Sequence, residues 1–179
     1  KAKAFFENLG ERRGVRQVGG PAADIGLARA ALADERSLIL EYYLAEDRSY
    51  LVSVSSNSLH LAILPNRHEL ARSLRGFLKM LPDRAQPRRH AFGAIERITN
   101  TLIPQPLARE MSGFDRLVVM PDGILNYLPF EALGIGTGKL AGFLIESMSV
   151  SYSPSVSVLS MLRRRMSAAT EAAVLAIGG

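Results

Sequence analysis

The spacing of apolar residues along the chain switches between the helical and the strand period, and each switch predicts an element. Phe5, Phe6 and Leu9 stand at helical spacing over Lys1–Asn8 and read as the end of a helix, which Gly10, Gly14, Gly19, Gly20 and Pro21 break. Asp24 is placed to cap a second helix of about ten residues through Ile25, Ala28 and Leu32. From Ser37 the period becomes two. Leu38, Leu40, Tyr42 and Leu44, then Tyr50, Val52 and Val54, then Leu59, Leu61 and Ile63 form alternating sets, separated by Glu46-Asp47-Arg48 and Asn57-Ser58. This predicts a three-stranded antiparallel meander with one buried face, with His60 opposite the apolar set as an exposed strand residue.

Helical spacing returns at Asn66–Leu81, where Leu70, Leu74, Phe77, Leu78 and Leu81 make one apolar stripe. Asn66 and Glu69 have capping-box spacing, His68 falls on the solvent side, and Pro82 ends the helix. Pro82–His90, with two prolines and three arginines, reads as a mobile exposed loop. A further helix is predicted from about Ala91 to Leu102, with Ile95, Ile98 and Leu102 inward and Pro104 and Pro106 stopping it. Leu107–Met111 supplies one more turn.

Leu117, Val118, Val119 and Met120 are an unbroken apolar run closed by Pro121-Asp122-Gly123, which predicts a strand buried on both faces of a mainly parallel sheet. Loops at the carboxyl ends of such strands build sites. Asp122, Asn126, Tyr127, Pro129, Phe130 and Glu131 are therefore the first candidates, with Pro129 opening a helical turn and Glu131 near its positive end. Gly134, Gly136 and Gly138 are not followed by the Lys-Ser or Lys-Thr pair of a phosphate loop and read as a flexible turn. Met148, Val150 and Tyr152 alternate with serines as another strand. Ser155 caps a helix holding Val156, Leu159 and Leu162, near whose end Arg163-Arg164-Arg165 suits the helix dipole. Ala172–Ile177 is a last strand, apolar on both faces.

Composition narrows the chemistry. The 179 residues contain no cysteine, which removes disulfides, thiolate metal sites and a cysteine nucleophile from them. The serines near residue 150 have neither a nucleophile-elbow motif nor a histidine partner. Lys and Arg exceed Asp and Glu by 22 to 17, a net charge of +5, but the basic residues are scattered apart from Arg88-Arg89 and Arg163-Arg164-Arg165. Nucleic-acid binding is accordingly not expected; a basic adaptor would reveal itself by salt-sensitive oligonucleotide binding. No run reaches the ~20 apolar residues of a membrane helix, and a cytoplasmic protein is expected.

The strand ending in Pro121-Asp122-Gly123, followed by Leu128-Pro129-Phe130-Glu131-Ala132-Leu133, closely resembles the corresponding segment of CHAT domains, caspase-like peptidase domains often joined to tetratricopeptide repeats. Leu40-Glu41-Tyr42-Tyr43-Leu44, Ser151-Tyr152-Ser153-Pro154-Ser155 and the apolar strand before Gly178-Gly179 agree in order, so the resemblance runs from about Asp34 to the last residue. It implies an α/β fold in which amino-terminal helices and the antiparallel meander lead into a mainly parallel, caspase-like sheet, incomplete at residue 179. Residues 1–33 are then a helical linker or the end of a repeat region, and residues 34–179 the amino-terminal portion of the domain.

The family's histidine and cysteine would lie beyond Gly179, and His60, His68 and His90 do not match its histidine context. The resemblance thus implies no catalytic residue, cofactor or metal ligand here, and candidate pocket support from Asp122, Phe130 and Glu131. The activity implied for the complete domain is peptide-bond hydrolysis by a histidine-assisted thiolate. A catalytically inactive scaffold of the same fold is the alternative. The expected partners are a protein substrate or regulatory protein and the carboxyl-terminal half of the domain.

Overall fold

Leu117, Val118, Val119 and Met120 offer no polar position to turn toward water, so a strand made of them needs cover on both faces. The computed structural model, which describes residues 25–32, 36–80, 88–135 and 142–168, provides that cover. One five-stranded sheet runs β3 (Leu59–Leu64), β2 (Ser49–Val54), β1 (Ser37–Tyr43), β4 (Arg116–Met120), β7 (Ser149–Tyr152) in spatial order. β1 pairs antiparallel with β2 and parallel with β4; β2 and β3 are antiparallel, β4 and β7 parallel. The meander and the parallel strands are therefore one mixed sheet, joined through β1.

On one face, Leu38, Leu40, Tyr42, Leu51, Leu117 and Val119 meet the apolar stripes of α2 (Arg67–Met80) and α3 (Arg88–Leu102). The stripes consist of Leu70, Leu74 and Phe77 on α2 and Ile95, Ile98 and Leu102 on α3. On the other, Ile39, Val52, Val54, Val118 and Met120 meet Ala28 of α1 (Ile25–Ala31) and Val156 of α6 (Val156–Ala168). Each buried side chain of this size contributes roughly 1.5–3 kcal/mol relative to exposure.

This arrangement corrects the meander. β1 and β2 are buried on both faces, not one, because α1 and α6 cover the second face. The register Tyr42↔Leu51 and Leu51↔Ala62 then puts Val52, Val54, Leu61 and Ile63 opposite the Leu38-Leu40-Tyr42 face, although the alternation grouped them with it. At the edge, Leu61 is 42% and Ile63 62% exposed, while Leu64 is buried. His60 shares the face of Leu64, and its Nε2 lies 3.0 Å from Glu110 Oε2.

Helix limits follow local chemistry. Asn66 Oδ1 accepts from the N–H groups of His68 and Glu69, both at 3.0 Å, and so caps α2. Arg67 and His68 both contact Glu46, at 2.9 and 2.7 Å, fastening the loop after β1 to the start of α2. The hydrogen bond from His68, assisted by Arg67, holds the Glu46 carboxyl below its ordinary range. α3 starts at Arg88, so Arg88–His90 are helical where an exposed loop is the sequence reading. Pro106 does not stop a helix but occupies the first turn of α4 (Gln105–Glu110), where its missing N–H costs nothing.

The flanks of the glycine loop form a small antiparallel ladder, β5 (Gly134–Ile135) with β6 (Gly142–Phe143), and run into a short helix, α5 (Leu144–Ser147), that periodicity does not predict. Ser155 caps α6 through Val158 N–H at 3.2 Å, but Leu162 is 46% exposed and not inward. The readings for Lys1–Leu9, Asp24, Leu81 and Ala172–Ile177 lie outside the described residues.

Burial on both faces makes a direct forecast. Ile39→Ala, at a site with no exposed surface, lowers unfolding stability by about 2–5 kcal/mol. Ile63→Ala at the open edge changes it by no more than about 0.5 kcal/mol. Urea unfolding of the two variants against the parent chain measures both; equal losses would contradict the two-faced core.

Candidate functional site

The carboxyl ends of β1, β4 and β7 lie side by side, and the chain immediately after β4 is held against the end of β1. Asp122 Oδ2 accepts the Leu44 N–H at 2.9 Å. Gly123 turns with φ 55°, and a Cβ there would stand 3.3 Å from Leu44 Cδ1, so the position suits glycine on both counts. The chain then makes a 3-10 turn over Gly123–Tyr127, buries Leu125 and Leu128, and braces Asn126 by an Nδ2 bond to Gly123 O at 2.9 Å.

Pro129 stands at the N-cap of a second 3-10 turn, Phe130–Ala132, which places Glu131 in its first turn. Phe130 has no exposed surface. Its ring sits between Tyr42, with centroids 5.4 Å apart, and Tyr152, at 6.3 Å and edge-on. The backbone is fixed as well: Tyr152 Oη accepts the Phe130 N–H at 3.0 Å and donates to Glu131 Oε2 at 2.6 Å. At the far end of the aromatic row Tyr42 donates to Leu102 O at 3.2 Å, tying it to the end of α3.

Glu131 and Tyr152 face an open cleft of about 560 Å³, lined also by Leu78, Asn126, Tyr127, Leu128 and Pro129. Of the residues proposed as pocket support, Glu131 lines this cleft, Phe130 lies in the core beneath it, and Asp122 secures the preceding turn. Asn126, Tyr127 and Pro129, also singled out from the sequence, line it. Tyr152 and Leu78 were missed as site residues. Tyr152 ends a strand that lies beside β4 and parallel to it, a neighbourhood that the sequence alone does not display.

The cleft offers a carboxylate, phenol groups and apolar walls. Glu131 is a carboxylate whose position is set by a phenol, Tyr127 is 76% exposed, and Leu78, Leu128 and Pro129 give apolar walls. His60 and His68 are paired with Glu110 and Glu46 and do not line the cleft. Among the described residues no group of three or more His, Asp or Glu side chains converges to hold a metal ion, and no helix is long and apolar enough to cross a membrane.

Burial, followed by the hydrogen bond to Glu131, pushes the Tyr152 phenol from 10.0 up to about 12. Burial raises the Tyr42 phenol too. A folded-state value above the unfolded one stabilises fully below the unfolded value, and that contribution disappears as pH rises through the folded value. The urea midpoint of the parent chain therefore falls on going from about pH 9 to about pH 11, and falls less in Tyr152→Phe. Equal slopes would show that the phenol is not held in this way.

A family model described as CHAT domain matches residues 93–179. The match starts inside α3 and takes in β4, both 3-10 turns of the cleft, β7 and α6; the stretch 34–92 lies outside it. No curated protein matches the chain. Residues 93–179, which carry the Pro-Asp-Gly turn and the core-anchored Phe130, are thus similar to a CHAT domain, which suggests a member of the caspase-like peptidases.

Proposed function

We propose that these residues are the amino-terminal, non-catalytic portion of a CHAT-type cysteine peptidase that hydrolyses peptide bonds in a protein substrate when complete. The observation that carries the proposal is the matched segment itself. Its strand, Pro-Asp-Gly turn and Leu-Pro-Phe-Glu-Ala-Leu run form a braced wall at the carboxyl end of parallel strands. A thiolate nucleophile has to come from outside these 179 residues, because they hold no cysteine.

In this reading the chain's own residues do positioning work. Asp122 keeps the β1 and β4 ends together, and the bond from Phe130 to Tyr152 keeps the next turn from shifting against β7. A pocket braced in this way holds a bound segment without ordering its wall at the moment of binding. The catalytic histidine and cysteine, an attached tetratricopeptide repeat region and a cytoplasmic location belong to the same proposal, as do a protein substrate or regulatory partner.

The same fold also serves a second reading, a scaffold that binds a partner and cuts nothing; the apolar walls and exposed Tyr127 of the cleft support it. Intact mass and peptide mapping of the natural protein, followed by a thiol-directed probe, separate the two. The peptidase proposal expects a chain that continues through a histidine and a cysteine, with labelling abolished by Cys→Ala and strongly reduced by substitution of the histidine. A natural chain with neither residue overturns it in favour of the scaffold.

A further inference from the structure

The cleft presents a charge that nothing described neutralises. Glu131 Oε2 accepts from Tyr152, while Arg36 pairs with Asp115, His60 with Glu110, and Arg67 and His68 with Glu46. None involves Glu131. Tyr152 fixes that carboxylate by donating to one oxygen, which leaves acceptor capacity on the other. The phenol stays protonated up to about pH 12, so the donor persists at any physiological pH.

The walls restrict what fits beside that charge. Tyr127, 76% exposed, stands on a 3-10 turn packed by buried Leu125 at its middle and Leu128 at its C-cap. Leu78, Leu128 and Pro129 add apolar surface. An anionic ligand would meet the carboxylate head-on, and a purely apolar one would strip it of water without a partner, at a cost of several kcal/mol. A cation with an apolar stem meets all three features. Arginine suits them better than lysine: its guanidinium is planar, weakly hydrated, stacks on aromatic faces and pairs with carboxylates through two bonds.

We infer that the cleft is a docking site for an arginine side chain on a segment of a partner protein. The guanidinium pairs with Glu131 and stacks on Tyr127, and the aliphatic stem lies along Leu78 and Pro129. This goes beyond the peptidase proposal and stands without it, because no thiol takes part and no bond is made or broken in the cleft.

The test is a titration of the full chain followed by nuclear magnetic resonance of its backbone amides, with acetyl-arginine methylamide as probe and the uncharged, nearly isosteric acetyl-citrulline methylamide as control. A ligand of this size binds in roughly the millimolar range. Shifts are expected at Asn126, Tyr127, Leu128, Phe130 and Glu131, with citrulline at least about tenfold weaker. Glu131→Gln keeps an oxygen for Tyr152 but removes the charge, and lowers arginine affinity to the citrulline level. Tyr127→Ala, an exposed site whose loss leaves the circular dichroism spectrum unchanged, weakens arginine several-fold. Equal binding of citrulline, an unchanged Glu131→Gln, or no shifts at these residues overturns the inference. None of these outcomes bears on whether the complete chain carries a peptidase cysteine.

Discussion

Phe130 ties the candidate site to the core. It is the largest side chain with no exposed surface, and its ring is in contact with Tyr42 on β1 and Tyr152 on β7. Removing a ring from such a position costs about 3–5 kcal/mol, so the turn that carries it is as firmly placed as a strand. Because Phe130 is fixed inward, the next residue, Glu131, is fixed toward the cleft. Tyr152 completes the arrangement from the other side by bonding both the Phe130 amide and the Glu131 carboxylate.

The sheet explains why such an anchor exists at this place. β1 and β4 are the central parallel pair, each buried on both faces, and the loops leaving their carboxyl ends are held in place. Asp122 does this between β1 and β4, and the Phe130–Tyr152 pair does it between the following turn and β7. The result is a short rigid wall at the edge where open α/β sheets gather their sites. A CHAT-type peptidase would use that wall to support a pocket, and a scaffold would use it to hold a partner.

Much of this was legible in the sequence. β4 showed as four consecutive apolar residues, α2 as a long stripe with Asn66 at its start, and the Pro-Asp-Gly turn as the end of a strand. The meander was misread for a physical reason. Leu38, Ile39 and Leu40 are all apolar, as are Leu51 and Val52, and when both parities are apolar alternation cannot say which one faces a given layer. An unbroken run of that kind signals cover on both faces, which α1 and α6 supply. Glu131 could be picked out because it lies in the loop that leaves β4, near the start of a turn opened by Pro129. Tyr152 could not, because its role depends on β7 pairing beside β4 some thirty residues away along the chain, with Val119 as its partner.

The central claim is that the Phe130–Glu131 turn is a rigid part of the core and not a surface loop. Amide hydrogen exchange at Phe130 tests it most directly. The account predicts that this N–H is protected to a degree comparable with the amides of β4, and that Tyr152→Phe strips the protection at Phe130 while leaving Val118 protected. Rapid exchange at Phe130 in the parent chain, or protection unaffected by the loss of the Tyr152 hydroxyl, would contradict it.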